Sequence, residues 1–454
     1  MKNRKALALI AILALIAVAC GGSDTAEEVV EVEAPATTEA PATTAAPSSA
    51  GDPLILASLM PLSGDLASLG PGIALGAKLA VDQINAAGGI NGQPVQLIEG
   101  DSGCSGEVAL TSLNDVIAQG AQGVMGAACS GTSLAILDTA INAQVVMVSP
   151  SNTSPQFTKI DKKGFYARTA PSDLLQGDVL ASLLIEDGVK TASIISRADS
   201  YGRGLAEATA SAFEAAGGTV KTIVYHDPLA ENFDAEVTAI GKGDAEAIVG
   251  ILFPQTGCGI LGSAFEQGLL DTPWYLTDGV KDAALTSACG LATESETRVR
   301  TETNEDNEEV EVEFEFALAG YLDGFKGTAP GSAAGDAFDA FSAAYAEVSP
   351  DGAGTFIFAP QAYDAVMLMA ISAAANGVTG PEIASGLVAA SSGGQKCVGV
   401  ECIALAADGV DVDYVGASGE IELNESGDPT SATYDIWNTV GDDNPVLNSV
   451  DFGS

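Results

Sequence analysis

The segment VMGAACSGTSLAILDTAINAQVVMVSPSNTSP, Val124 to Pro155, carries the residues best suited to hold a small charged molecule. An apolar, strand-like run ends in a small polar turn (Cys129, Ser130, Gly131, Thr132, Ser133). A helix-like stretch follows, and a second apolar run then ends in Ser149 to Pro155. Strand, helix and strand in that order form a parallel unit, and in such sheets ligands collect beyond the carboxyl ends of the strands. Both polar turns therefore share one sheet edge. The first also opens a helix, whose unpaired N–H groups and positive dipole end favour a carboxylate or a phosphate. The hydroxyls of Ser130 and Thr153 complete that anion site. Taken alone, a Ser or Thr at such a place caps a helix more often than it touches a ligand.

Other chemistries have weaker support. Gly257, Gly259 and Gly262 spell GxGxxG after the strand-like AEAIVGIL, with Asp278 near the spacing of a ribose-binding acid. Phe253-Pro254-Gln255-Thr256 separates that strand from the glycines, however, and Cys258 sits inside the loop. There is no Gly-x-Ser-x-Gly elbow and no His-Glu-x-x-His, and the single histidine, His226, ends a strand with no nucleophile beside it. No Cys-x-x-Cys spacing offers a zinc site. The reading is a binding protein rather than an enzyme, with no catalytic residue, no metal and no cofactor.

The elements that position these turns occupy a chain of 454 residues, long enough for two lobes, since single cores rarely grow past about 250 to 300 residues. A hydrophobic content of 47% with 52 glycines suits an α/β protein. The formal net charge is −43, and Lys2, Arg4 and Lys5 precede Cys20 while none of the 61 acids does, so the remainder is three units more negative. Such a surface repels nucleic acid and anionic membrane. The first 20 residues pair a basic start with an apolar run from Ala6 to Ala19, too short for an ordinary span and similar to a secretion signal. Residues 21–51 turn acidic and repeat APATT at 34 and 40, a composition that gives an extended tether without a core.

From Leu54 strands and helices alternate: LILASLMP, a turn with Ser63, Gly64 and Asp65, a helix from about Pro71 to Ala87 stopped by Gly88-Gly89, then VQLIEG. A second series begins near Ser172, with a helix to Asp187, TASIIS, a helix from Gly202 to Ala216, TVKTIVYH, AEAIVGIL and PWYLT. Two similar α/β series imply a cleft between lobes, lined from strand ends of both. Residues 294–316 read as an acidic hairpin around Asn304 to Asn307, with Glu309, Glu311, Glu313 and Glu315 on one face; a solvated insertion is expected there ahead of a calcium site. Helical runs return at about Ala333 to Val348, Gln361 to Asn376 and Pro381 to Ala390. Of seven cysteines, six remain once Cys20 is set apart, an even number that suits an oxidising compartment. Cys104 and Cys129 follow two strands at one sheet edge and are expected to pair. Cys397 and Cys402 bracket a short loop and form a local bridge by default, while the sequence leaves Cys258 and Cys289 open.

SLMPLSGDLASLG, AVDQINAAGGINGQPVQLIEGDSGC, CSGTS, SPSNTSP, DSYGRGLA and YVGASGEIELNESGDPTSATYDIW together resemble the type I periplasmic solute-binding proteins, in the leucine/isoleucine/valine-binding branch. The resemblance covers roughly 52 to 290 and 317 to 440. It implies an α/β fold of two Rossmann-like lobes with parallel sheets joined by a three-strand hinge. Lobe 1 is expected at 52–171 with 327–417, and lobe 2 at 172–326 with 418–454. It also implies that Ser130 and Thr153, with Asn152 beside them, hold an amino-acid carboxylate, and that Tyr201 and Asp278 hold its ammonium. Leu69 and Phe253 stand where the family commonly has aromatics that cover the ligand, which makes the side-chain pocket more apolar. Each has a bland reading as well, Tyr201 as a core tyrosine and Asp278-Gly279 as a turn.

The function so implied is that of an extracytoplasmic substrate-binding lipoprotein of an ABC importer, monomeric, with an amino acid, branched-chain or apolar, in the cleft and a membrane permease as partner. A sensory ligand-binding domain, or an amide- or urea-binding protein of the same fold, are the alternatives. AVAC before GGSD resembles a lipoprotein signal with Cys20 as the lipidated first residue, and Ala17-Val18-Ala19 also reads as a plain cleavage site. Mass spectrometry of the mature chain from its native envelope is expected to find an N-terminal peptide that starts at lipid-modified Cys20. An unmodified N-terminal peptide would establish simple secretion instead.

Overall fold

The computed structural model describes residues 51–285, 289, 296–303, 309–316, 322–350 and 356–452. The expected signal, Cys20, nearly all of the tether and the hairpin turn at Asn304 to Asn307 lie outside the described residues.

Strands β1 (Ile55–Met60), β2 (Gln96–Asp101), β3 (Gly123–Gly126), β4 (Val146–Ser149) and β5 (Tyr166–Arg168) form one sheet in the order β2-β1-β3-β4-β5, parallel throughout. Every residue of β3 and β4 is buried, as a parallel sheet covered on both faces requires. Between them run helices α1 (Gly70–Ala86), α2 (Gly106–Ala118), α3 (Ser130–Asn142) and the short α4 (Gln156–Lys159). Pro71 starts α1, where its missing N–H costs nothing, and Gly88 ends it with φ at +110°, a conformation that suits glycine. One face of this sheet packs Ala57, Leu59, Val124 and Met147 under Leu113 and Val116 of α2 and Ile136 and Leu137 of α3.

The second sheet takes β6 (Thr191–Arg197), β7 (Thr219–His226), β8 (Ala247–Ile251) and β9 (Trp274–Leu276), with helices α5 (Asp173–Glu186), α6 (Ser200–Ala215), α7 (Asp234–Gly241) and α8 (Pro254–Glu266). Strands β10 (Glu296–Thr303) and β11 (Glu309–Phe316) pair antiparallel, with Thr303 opposite Glu309 and Val299 opposite Glu313. Strand β12 (Lys326–Pro330) then joins the second sheet beside β9. The return to the first lobe, expected at 327, therefore follows Pro330, because backbone pairing holds this strand to the second sheet. Helices α9 (Asp336–Val348), α10 (Ala359–Asn376) and α11 (Gly380–Gly386) come next. A small sheet follows, made of β13 (Gln395–Val398), β14 (Val412–Gly416) and β15 (Gly419–Glu420) with α12 (Val400–Ala407). The chain closes with β16 (Ala432–Asn438) and β17 (Val446–Phe452), and the full order is β17-β16-β12-β9-β8-β6-β7. This sheet is mixed: the tight turn at Val440 to Asp443 reverses the chain, so β16 and β17 run antiparallel where parallel strands were expected.

The chain thus passes between the two sheets three times, after Arg168, after Pro330 and after Glu420. The first turns of α10 hold all three passages. The Gln361 carbonyl accepts from the Thr169 hydroxyl at 2.7 Å, and its side-chain amide donates to Gly331 O at 2.9 Å. Asp364 accepts from Tyr414 OH and Ala417 N, each at 2.7 Å, and from Ser418 N and Oγ at 2.8 and 2.6 Å. Burial pushes the Asp364 carboxyl up to about 6 against the pull of these donors. The same helix lies on α1, where a Cβ at Gly76 would stand 2.2 Å from Ala359 O, so the helices can approach only with glycine there.

Three disulfides stand among the described residues, with Cα separations of 5.4 Å for Cys104–Cys129, 5.1 Å for Cys258–Cys289 and 5.3 Å for Cys397–Cys402. The first pair is the one its strand ends foretold, and the second ties α8 to the residues before the hairpin. Replacing Cys104 and Cys129 together by alanine is expected to lower unfolding free energy by about 3 kcal/mol, the chain-entropy value for a loop of this size. Chemical denaturation checks this, and a loss within error would show that the bridge constrains nothing in the unfolded chain.

Candidate functional site

A narrow cavity of ≈ 20 Å³ lies where the carboxyl ends of the two sheets face each other. From the first sheet's side it is lined by Leu66, Leu69, Ile73, Ala128, Cys129, Ser130 and Ser151, from the second by Tyr201, Phe253, Asp278 and Gly279, with Phe358 completing the wall. Five of the seven residues expected at a ligand, namely Leu69, Ser130, Tyr201, Phe253 and Asp278, are brought together here.

On the first side, Ser130 is the first residue of α3, and no side chain caps that helix. Its hydroxyl accepts weakly from Ser154 N at 3.4 Å. Hydrogen bonds hold the turn after β3 to the turn after β4: Ser149 Oγ and Ser133 Oγ donate to Ala127 O at 2.8 and 3.1 Å, and Ser151 Oγ donates to Ala128 O at 3.1 Å. Asn152 belongs to this brace. Its amide donates to Ala127 O at 3.0 Å and Ala128 O at 2.7 Å and its carbonyl accepts from Tyr166 OH at 3.0 Å, so it is not on the cavity wall. Behind the turn, the fully buried Arg168 donates from Nη1 to the carbonyls of Asn152 and Ser154, both at 3.0 Å. Its Nε meets Asp428 at 2.8 Å and its Nη2 meets Thr158 Oγ1 at 3.1 Å. Four of the five N–H donors of the guanidinium are thus used around the turn.

On the second side, Asp278 follows β9 and is 4% exposed. Tyr201 OH and Gln176 Nε2 both donate to its Oδ1 at 2.9 Å, and the residue's own backbone N–H also favours the ionised form. Burial pushes this carboxyl up to about 6, opposed by those two hydrogen bonds. Asp173, fully buried at the start of α5, is raised well above the usual range, first by burial and then by the Asp278 charge. Neither of its carboxylate oxygens, nor the Thr153 hydroxyl beside it, makes a hydrogen bond of good geometry, although the hydroxyl is near enough to ease the carboxyl's ionisation. Burial opposes the ionisation of both carboxyls, and at Asp173 the Asp278 charge adds to it.

Asp173 and Gln176 are the residues that reading the sequence missed. An acid just after Ser172 at a helix start looks like a favourable dipole partner. The available signal was their i,i+3 spacing on the face of α5 that also carries Val179 and Leu180, all of them buried. Outside the cavity lie the glycines of GxGxxG, which fall inside α8 with Pro254 and Thr256 before them, so no strand-to-helix phosphate loop forms there. His226 is buried against Phe233, and burial lowers its proton affinity.

Comparison with known proteins agrees with this geometry. The family profile described as the receptor family ligand binding region matches residues 73–442. An amino acid binding protein of Pseudomonas aeruginosa is 31% identical over 239 residues, 51% of this chain and 62% of that protein, so the chain spans less than two thirds of the relative's length. The isoleucine complex of a branched-chain amino acid transporter substrate-binding protein from Streptococcus pneumoniae superposes with a TM-score of 0.68 at 21% identity, over 89% of this chain and 100% of that one. A solute-binding protein of an ABC transporter from R. palustris, in complex with 4-hydroxybenzoate, superposes with a TM-score of 0.67 at 16% identity, over 88% and 97%. At these identities the two structures establish a shared fold.

The Arg168 cluster gives the site its first test. Arg168→Met keeps the bulk but leaves the buried Asp428 with only the Thr158 hydroxyl at 2.7 Å and Lys162 at 3.9 Å, and unfolding free energy is expected to fall by about 3 kcal/mol. A loss below about 1 kcal/mol in guanidinium titrations would mean that water reaches Asp428 and the brace is not the rigid element described.

Proposed function

The chain belongs to the receptor family ligand binding region family, and from that premise we propose that it is an extracytoplasmic substrate-binding protein of an ABC importer, non-enzymatic, that takes an apolar, branched-chain amino acid between its lobes. The observation that carries this reading is the polarity of the cavity. Ser130 and the uncapped start of α3 offer donors to a carboxylate on one side. Asp278 and Tyr201 offer acceptors to an ammonium on the other. Leu66, Leu69, Ile73, Phe253 and Phe358 leave an apolar remainder for a side chain. An ammonium against a buried carboxylate is worth roughly 1.5 to 3 kcal/mol.

An aromatic acid is a poorer fit. It would leave that carboxylate without an ammonium, and an anion is repelled by a chain with a formal charge of −43, whereas a zwitterion is not. Thr153, expected at the carboxylate, instead has its hydroxyl beside Asp173 and off the cavity wall, and in this reading a lipid on Cys20 tethers a monomeric binding protein to the outer face of the membrane. Ligand contacts from both lobes favour the closed form, which the permease then recognises.

Asp278→Asn keeps the shape but removes the charge, and leucine affinity is expected to fall by roughly 10² to 10³-fold, the equivalent of about 3 to 4 kcal/mol. Affinity also depends on acid. Asp278 must ionise to meet the ammonium, so below about pH 6 binding releases a proton and the dissociation constant rises toward tenfold per pH unit, while above about pH 7 it is flat. Calorimetry with leucine, isoleucine and valine reads both effects. Unchanged affinity in a folded Asp278→Asn protein, or affinity that does not weaken toward acid, would remove the ammonium pairing.

A further inference from the structure

A second set of contacts joins the two sides just outside the cavity wall. Asp65, in the loop between β1 and α1, precedes Leu66 of the lining. Its Oδ1 accepts from Thr256 N at 3.1 Å and its Oδ2 from Thr256 Oγ1 at 3.3 Å, and Oδ2 also forms an ion pair with Arg197 Nη1. The side chains of Asp65 and Arg197 are 12% and 4% exposed, so little water competes. Thr256 sits in the first turn of α8, where backbone amides and the helix dipole favour a carboxylate. The second lobe thus presents three donors to one acid of the first.

Arg197 is built into the cavity wall from behind. Its guanidinium lies 3.9 Å from the centre of the Phe253 ring, and that ring is stacked on Tyr201 at 5.4 Å. Asp199 holds its Nε at 2.9 Å and, with its other oxygen, caps α6 at Gly202 N, also at 2.9 Å. Asp278, Tyr201, Phe253, Arg197 and Asp65 therefore form a chain of contacts from the buried carboxylate to the opposite lobe. Asp65 stands apart from the wall itself, since it does not line the cavity.

We propose that Asp65, gripped by Arg197 and Thr256, is an interlobe latch: a positioning residue that sets how long a bound molecule stays without taking part in its recognition. The inference rests on the reading of the cavity as the ligand site. These contacts exist only when the lobes are together. Their loss should therefore appear in the rate of opening and leave the encounter with the open protein unchanged. Asp65→Asn is nearly isosteric and removes only the charge that Arg197 grips.

The test is surface-plasmon-resonance kinetics of leucine on parent and Asp65→Asn protein, with Thr256→Ala and the double variant to complete a cycle. The latch predicts a dissociation rate raised roughly 10- to 100-fold in Asp65→Asn, an unchanged association rate, and a double variant less impaired than the two single effects combined. An unchanged dissociation rate, or a change confined to association, overturns it. Should the parent bind no amino acid, the functional reading fails on its own, and small-angle scattering still decides the latch. In that case the Asp65→Asn radius of gyration must exceed the parent's, and equal radii refute it.

Discussion

Moving the Asp278 carboxylate out of water carries an effective penalty of several kcal/mol, and much of the surrounding structure serves to lower it. Tyr201 and Gln176 reach it from α6 and α5, so two helices of the second sheet must arrive at the end of β9 in one register. In the proposed function, the charge that these donors hold in place meets the ammonium of a ligand. Asp173 raises the stakes, because burial and the Asp278 charge both oppose the ionisation of this second carboxyl. A site arranged in this way is poorly satisfied when empty, which is where differential affinity for a filled, closed state comes from.

The opposite side solves a different problem. A carboxylate site made of turn hydroxyls and helix-end amides has no strong charge of its own, so its strength depends on donors that do not reorganise. Arg168 supplies that rigidity from within. It spends its hydrogen bonds on the carbonyls of Asn152 and Ser154 and on Asp428, a residue of the turn at Asn424 to Pro429 more than 250 positions away. Rigidity here is compatible with motion between lobes, because α10 anchors the three passages through Gln361 and Asp364 and leaves the segments beyond to bend.

Much of this was legible along the chain, for reasons that also mark the boundary of legibility. Strand and helix alternate with clean periods from Leu54, and stop signals such as Gly88 and Gly217 work locally, so the elements around them were readable, and both glycines adopt positive φ. The pairing of Cys104 with Cys129 followed from two strand ends at one edge. Asn152 was misplaced because the residue types of a polar turn do not tell which side chain faces the cavity and which braces the backbone. Asp173 and Gln176 escaped notice because helix-start acids and helical glutamines are usually solvated. The Asp65 contacts with Arg197 and Thr256, 132 and 191 positions away, and the Cys258–Cys289 bridge depend on how loops meet in space, which no local pattern encodes.

Recognition and retention have separate physical demands, and the arrangement at the cavity's edge keeps them on separate residues. Groups that touch the ligand must match its charges, so their strength cannot be varied without altering which molecule is bound. An ion pair one layer out is free of that requirement, provided it forms only on closure. Asp65 with Arg197 meets the condition: one partner rides on each lobe, and the guanidinium bears on Phe253 instead of on the cavity interior. A transporter's binding protein needs this independence, since it must discriminate among chemically similar solutes while still letting go at the membrane. Strengthening the inner contacts alone would improve selection and slow release together, whereas a latch outside the wall lets the lifetime of the closed form change with the preference intact.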